Sequence, residues 1–136
     1  MTKPVLDVLQ MQHLKELGMD TSNASMCWTK VWQEFALSFH DEKTKRRGSR
    51  PDSIPAYTLQ DLLDALPDFI DEYCLIIDMS FGVIRYDNLK RKDGPILKEA
   101  YFNNEDKYLI DAAYEMLCWC VENGHLKMKR NENKSI

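Results

Sequence analysis

Apolar residues recur at a spacing of three and four positions in three stretches of the chain. One covers residues 4–17, one begins at Thr58, and one ends at Gly124. Residues three and four apart share a face of an α-helix, so each stretch predicts a helix with one buried side. Pro4 suits a first helical turn, and Gly18 supplies the left-handed residue that ends many helices. The predicted buried stripe of the first helix is Leu6, Leu9, His13, Leu14 and Leu17.

Capping residues define the start of the other two helices. Thr58 followed three residues later by Asp61 matches a capping box, in which each side chain bonds the other residue's backbone N–H. Pro67 ends this second helix, because the residue before a proline avoids the helical conformation. Asn103 or Asn104 is expected to cap the last helix, which is the clearest element of the chain.

Elsewhere apolar and polar residues alternate, with the period of two that is typical of β-strands. Residues 26–32 and 35–40 follow this pattern, either as a hairpin or as one strand with a kink or bulge. Residues 73–79 are apolar on both faces, which is typical of a central strand. Residues 83–86 and 96–102 complete the predicted strands.

The order of elements predicts an α+β fold, α-β-β-α-β-β-β-α, with one domain over residues 1–136. Short links between the last strands favour an antiparallel sheet, of about four to five strands packed with three helices. Residues 41–55 are rich in charge and are predicted to form a flexible basic loop. Residues 127–136 are predicted to form a flexible basic tail.

Composition excludes several classes of protein. The chain is 44% hydrophobic and 29% charged, which is typical of a globular protein rather than a disordered one. No apolar run approaches the ~18 residues that span a bilayer, so we expect no membrane insertion. Asp7 and Glu16 lie in the N-terminal stretch, which also lacks a small-residue cleavage site and is therefore a poor signal peptide. A cytoplasmic location is the resulting expectation.

The cysteines are predicted to be free thiols packed in apolar segments. Cys118 and Cys120 are two positions apart on a predicted helix, where side chains point about 200° from each other. These two thiols cannot hold one metal ion together, and a cytoplasmic protein usually keeps its thiols reduced. The full set is Cys27, Cys74, Cys118 and Cys120.

The sequence contains no pattern typical of a catalytic, metal-binding or nucleotide-binding protein. The five glycines form no phosphate-binding loop, and no GxSxG nucleophile motif is present. His13, His40 and His125 are far apart in the sequence and form no ligand pair. We therefore expect no cofactor and no catalytic or metal-binding residues.

Asp78 is the one carboxylate that interrupts an apolar strand. Buried carboxylates must be paired or hydrogen-bonded, and such groups are enriched in active sites. The favoured interpretation is structural: Asp78 emerges into solvent beside Ser80, or Arg85 across the turn pairs with it. An enzyme with an unrecognised site near Asp78 is the less favoured alternative.

Positive charge is concentrated in three short segments, residues 43–50, 90–92 and 127–134, whereas the rest of the chain is acidic. Basic segments of this kind bind an acidic protein face or nucleic acid, or simply keep a protein soluble. Few aromatic residues accompany them, so no base-stacking platform is visible. The possible partner contacts are Lys43, Lys45, Arg46, Arg47, Arg50, Lys90, Arg91 and Lys92.

Four stretches resemble a group of small, uncharacterised proteins of bacterial phages, prophages and related mobile elements. They are HLKELGM, SMCWTKV, AYTLQDLLDALP and LIDAAYEMLCWCVENG, which together cover well under half of the chain. The resemblance implies a phage or prophage origin and no enzymatic role, and it brings no site residues. The basic loop looks like an addition to the pattern of that group.

The sequence therefore predicts a non-enzymatic phage or prophage accessory protein, which acts as a protein-interaction module in the cytoplasm. The alternative is a weak, salt-sensitive nucleic-acid-binding protein that uses its basic loops. Neither the partner nor the oligomeric state follows from the sequence.

Overall fold

The computed structural model describes residues 3–31, 34–39, 53–91 and 94–126. These residues form the helices α1 (Val8–Glu16), α2 (Leu59–Ala65) and α3 (Leu109–Glu122), together with seven strands in two antiparallel sheets. The predicted α+β class is confirmed. The predicted single sheet of about four to five strands is corrected in two respects. The described residues form seven strands, and these strands divide into a sheet of three and a sheet of four.

The first sheet has the strand order β2-β1-β3, formed by β1 (Met26–Val31), β2 (Glu34–Phe39) and β3 (Ser53–Ala56). β1 and β2 are antiparallel with Val31 opposite Glu34, so the predicted hairpin is confirmed and the single kinked strand is wrong.

Strand β3 corrects the predicted loop over residues 41–55. Residues 53–55 belong to β3, which pairs with the other side of β1. Its proline is tolerated because β3 is an edge strand. The pairing is a long-range contact, which local composition does not encode. The remainder of the predicted loop lies outside the described residues, as does the predicted tail over residues 127–136.

The second sheet has the order β4-β5-β6-β7, with β4 (Phe69–Ile70), β5 (Tyr73–Asp78), β6 (Val83–Asp87) and β7 (Lys98–Tyr101). The sequence pattern does not predict β4, since two residues are too few to establish an alternating pattern. As predicted, β5 has a neighbour on each side. However, none of its residues is fully buried, and of its two apolar faces the one with Leu75 and Ile77 packs against the apolar cluster.

Helix α3 packs across β6 and β7 and against α2. Its buried face joins one continuous apolar cluster, to which the segments flanking β1 and β3 and the inward face of the second sheet also contribute. The cluster includes Leu6, Leu14, Ala24, Tyr57, Leu62, Ile84, Tyr86, Ala113, Met116 and Leu117.

The end of α1 and the start of α2 follow the sequence signals. The N–H groups of Gly18 and Met19 donate to the carbonyls of Lys15 and Leu14, which is the Schellman arrangement, and Gly18 has a φ of +97°. At α2 the Thr58 hydroxyl accepts from the Asp61 N–H, and the Asp61 carboxylate accepts from the Thr58 N–H, as the capping box predicts.

The starts of α1 and α3 differ from the prediction. Helix α1 begins after Asp7, whose carboxylate accepts from the Gln10 N–H, so Pro4 precedes the helix. Helix α3 begins after Tyr108, whose N–H donates to the Asp111 carboxylate. Asn103 instead caps the preceding turn by accepting from three successive N–H groups, those of residues 105–107.

Candidate partner-binding surface

The second sheet has two contrasting faces. Ile84, Tyr86 and Ala100 face the helices and are fully buried, whereas the residues between them lie on the opposite side. We call this opposite side the outer face. Among the described elements no helix packs on it. It consists of Phe69, Cys74, Ile76, Asp78, Val83, Arg85, Asp87, Glu99 and Tyr101.

The strand register arranges the outer face in rows. Ile76, Arg85 and Glu99 lie side by side across β5, β6 and β7. The neighbouring row toward the β5–β6 turn contains Asp78, Val83 and Tyr101. Residues directly opposite in antiparallel strands have their Cβ atoms about 5 Å apart, so the side chains of each row are direct neighbours.

Arg85 lies at the centre of the outer face between two carboxylates. Its Nε atom donates to Asp87 Oδ2 at 3.2 Å, and its Nη1 atom lies 3.5 Å from Asp78 Oδ2. The three side chains are 21–24% exposed, so solvent screens them only in part. Together with Glu99, the face carries three carboxylates for one guanidinium. The outer face is therefore acidic.

The structure confirms the structural interpretation of Asp78. Its Oδ1 atom accepts from the Ser80 hydroxyl at 2.7 Å and from the N–H groups of Ser80 and Phe81, while Oδ2 faces Arg85. The bond from the Ser80 hydroxyl, followed by that from the Phe81 N–H, lowers the pKa of Asp78 below its ordinary value. Both oxygens thus have partners that hold the turn in place. The enzyme alternative near Asp78 stays a prediction.

The β5–β6 turn presents large apolar side chains to solvent. Met79 is 63% exposed and Phe81 is 80% exposed, and Tyr101, at the same end of the sheet, is 56% exposed. A hydrogen bond with Glu99 raises the pKa of Tyr101 above its ordinary value. Aromatic residues, methionine and arginine are enriched in protein–protein interfaces, and here exposed aromatic and methionine side chains lie beside the half-buried Arg85.

Gly82 holds this turn against β7. Its N–H donates to the Asp78 carbonyl at 2.9 Å, and its carbonyl accepts from the Phe102 N–H at 2.8 Å. The φ of Gly82 is +68°, and a Cβ atom at this position would collide with the Phe102 carbonyl oxygen. Because the turn is bonded on both sides, Met79 and Phe81 are presented in a defined position.

A second polar region is a shallow groove of about 610 Å³ between the start of α1 and the start of α3. Lys3 Nζ donates to Asp111 Oδ1 at 2.6 Å and to Gln10 Oε1 at 2.8 Å. Burial acts to raise the pKa of Asp111, but the bonds from Lys3 and Gln10 outweigh it and lower the pKa. The charged groups at the centre of the groove are thus paired with each other, and they fasten the N-terminal segment to α3.

The structure places only part of the predicted basic contact set. Lys90 and Arg91 are exposed in the segment that follows β6. Since the other members lie outside the described residues, the nucleic-acid alternative stays a prediction. Those members are Lys43, Lys45, Arg46, Arg47, Arg50 and Lys92.

The sequence does not predict the outer face as a site. Its pattern points to Asp78, with Arg85 as the partner, but does not connect these two residues with Phe81 or Tyr101. The available signal was Phe81 itself, a large aromatic residue between Ser80 and Gly82 in a predicted turn. Such a residue has little chance of burial there.

In the part of the chain that the structure describes, the thiols and the acidic side chains form no ligand site. Cys74 is half-buried and the three other cysteines are buried, and none of the four forms a disulfide. Burial raises the pKa of Cys118 and of Cys120 to about 11, which makes these two poor nucleophiles. In the described ranges, no group of three His, Cys, Asp or Glu side chains is arranged to hold a metal ion.

No helix within those ranges is long and apolar enough to cross a membrane.

Comparison of the chain with protein-family models, with curated proteins and with solved structures finds no significant match.

Proposed function

We propose that this protein is a non-enzymatic protein-interaction module and that it binds its partner through the outer face and the β5–β6 turn. The observation that carries the proposal is the cluster of exposed apolar side chains, Met79, Phe81 and Tyr101, beside the Arg85 ion pairs. Exposed apolar groups that are grouped together and rimmed by charge mark interaction sites more often than isolated ones do.

The rigidity of the turn supports this proposal. Gly82 bonds both to Asp78 and to Phe102, so Phe81 loses little backbone freedom when a partner covers it. An exposed but well-positioned aromatic residue is typical of the few side chains that contribute most of the binding energy of an interface.

We further propose a cytoplasmic role as an accessory protein of a phage or prophage. This part rests on the resemblance of the four stretches described above. The partner would then be a protein of the same element or of its bacterial host.

Site-directed photocrosslinking in the producing cell tests the proposal. A benzophenone side chain at position 81 or 101 should crosslink one and the same protein, whereas position 12, exposed on α1 outside the outer face, should not. With the purified partner, Phe81→Ser should weaken binding by about tenfold or more. The matched control is Leu9→Ser, which removes an equally exposed apolar side chain from α1.

Two results contradict the proposed function. One is the absence of any crosslink that is specific to positions 81 and 101. The other is an affinity for the purified partner that Phe81→Ser changes no more than Leu9→Ser does.

A further inference from the structure

Strand β7 forms an edge of the second sheet and has unused backbone groups. Ala100 pairs with Ile84, and the Phe102 N–H donates to the Gly82 carbonyl, so these alternate residues direct their backbone groups toward β6. Glu99 and Tyr101 must therefore direct theirs away from the sheet. Within the described ranges, no backbone hydrogen bond outside the sheet ladders uses either residue.

Two of the other edges, those beside β3 and β4, are covered or shortened, whereas β2, like β7, is a terminal strand of its sheet with no described strand beyond it. The chain beyond β3 is joined by the N-terminal segment, where the Leu6 N–H donates to the Tyr57 carbonyl at 2.9 Å and Val5 pairs with Thr58. At the opposite edge of the second sheet, β4 has only two residues. Proteins usually protect edge strands in such ways, because unpaired backbone groups attract another strand. By contrast, β7 carries no proline and is four residues long.

The side chains beside the β7 edge determine the chemistry of a strand that could be added there. Glu99 lies on the outer face next to Arg85, which already pairs with Asp78 and Asp87. Glu105 and Asp106 are exposed just after β7, and Lys107 is already paired with Glu115 at 2.9 Å. Lys98 also belongs to β7, but it lies opposite Tyr86 and therefore on the helix-facing side of the sheet. On the outer side and just after β7, the carboxylates outnumber the cations, so the surroundings of the edge are acidic there. The exposed phenol ring of Tyr101 adds a surface on which a cation can rest.

We propose that the edge of β7 binds an extended, lysine- or arginine-bearing segment of a partner protein by strand addition. The added segment forms backbone hydrogen bonds with Glu99 and Tyr101 and becomes the fifth strand of the second sheet. Its basic side chains lie on the outer face beside Glu99 and Tyr101. The inference rests on the proposed function and specifies how the partner is recognised.

A pair of synthetic peptides tests this mode of binding. In one peptide lysine alternates with valine, and in its matched control glutamate replaces every lysine. At low salt, the lysine peptide should bind the full chain with at least about tenfold higher affinity than the glutamate peptide does. Added salt should weaken the binding of the lysine peptide. Amide exchange measured by NMR should slow at Glu99 and Tyr101 when the lysine peptide binds.

Two variants separate backbone pairing from charge. A lysine peptide that is N-methylated along one edge cannot pair as a strand, so it should lose most of its affinity although its charge is unchanged. Glu99→Gln should weaken binding of the lysine peptide severalfold while the melting temperature stays the same. Glu122→Gln, an exposed substitution at the end of α3, should leave the affinity unchanged.

Three results overturn the inference: no binding of the lysine peptide, equal binding of the two peptides, or binding without slower exchange at Glu99 and Tyr101. Slow exchange at both amides without peptide, together with a concentration-dependent dimer, also overturns it, since the occupant is then a second copy of this chain. Any of these results can coincide with specific photocrosslinks from positions 81 and 101. In that case the proposed function is retained and only the strand-addition mode is rejected.

Discussion

The ammonium group of Lys3 lies 2.6 Å from Oδ1 of Asp111, so the first described residue of the chain is fastened to the first turn of the last helix. Asp111 also accepts from the Gln10 side chain and, through its other oxygen, from the Tyr108 N–H that begins α3. One carboxylate thus joins the N-terminal segment, α1 and α3. The ionised carboxylate is the stronger acceptor for each of these donors, and only this form makes the ion pair with Lys3.

Asp111→Asn should therefore lower the free energy of unfolding by about 1–2 kcal/mol, because it weakens charge-assisted bonds at a half-buried position. Urea denaturation at neutral pH is the measurement. Glu105→Gln removes an equally negative but exposed side chain and should change the stability by less than about 0.5 kcal/mol. Equal losses in both variants would contradict the structural role of Asp111.

The same carboxylate predicts a pH dependence. The pKa of Asp111 is lowered in the folded protein from its ordinary value of 3.8, so the unfolded chain binds the proton more readily. The contribution of Asp111 is present above pH 3.8 and is lost as the pH falls through the lower folded pKa. Accordingly, the stability difference between the wild type and Asp111→Asn should shrink in that range.

Leu117 provides a test of the packing of α3. Its side chain is fully buried in the apolar cluster, so Leu117→Ala should cost about 2–5 kcal/mol through lost transfer energy and a cavity. Leu9→Ala is the matched control, since Leu9 is 76% exposed on α1. This variant should lower the free energy of unfolding by less than about 0.5 kcal/mol. A loss below ~1 kcal/mol for Leu117→Ala in denaturant melts would mean that α3 does not pack against the sheet as described.

Gly82 tests the rigidity of the β5–β6 turn. Gly82→Ala combines a positive φ with a collision against the Phe102 backbone, so we expect a larger loss than the ~1 kcal/mol of a positive φ alone. Gly124→Ala is the control, because Gly124 also has a positive φ but has no atom near its missing Cβ. Thermal melts of the two variants give the comparison. A similar loss in both would show that the turn shifts easily.

Cys74 reports on the outer face. It is half-buried, whereas Cys27, Cys118 and Cys120 are buried, so a thiol reagent should label Cys74 first in the native protein. Peptide mapping by mass spectrometry identifies the labelled site, and labelling in denaturant should reach all four thiols. Faster labelling of Cys118 than of Cys74 would place the exposed side of the sheet elsewhere.

Much of the local structure could be predicted from the sequence, because the responsible contacts lie within a few residues of each other. Gly18, the pair Thr58 and Asp61, and Gly124 each act on backbone groups of the adjacent turn. The hairpin of β1 and β2 and the strands around the β5–β6 turn likewise follow from alternation and nearby turn residues. The α+β class is a consequence of these local elements in their order.

What the tertiary structure alone decided is which of the apolar faces is covered. In α1, helical spacing predicts burial of Leu9, but Leu9 is exposed. Met11 is buried instead, and its sulfur accepts a hydrogen bond from the Tyr57 N–H. On β5, the face of Cys74 and Ile76 is as apolar as a buried one, yet no described helix covers it. Periodicity shows which residues share a face, whereas burial depends on which distant segment packs there. For the same reason the surface formed by the outer face and the β5–β6 turn, which brings Phe81, Arg85 and Tyr101 together, exists only in the folded sheet.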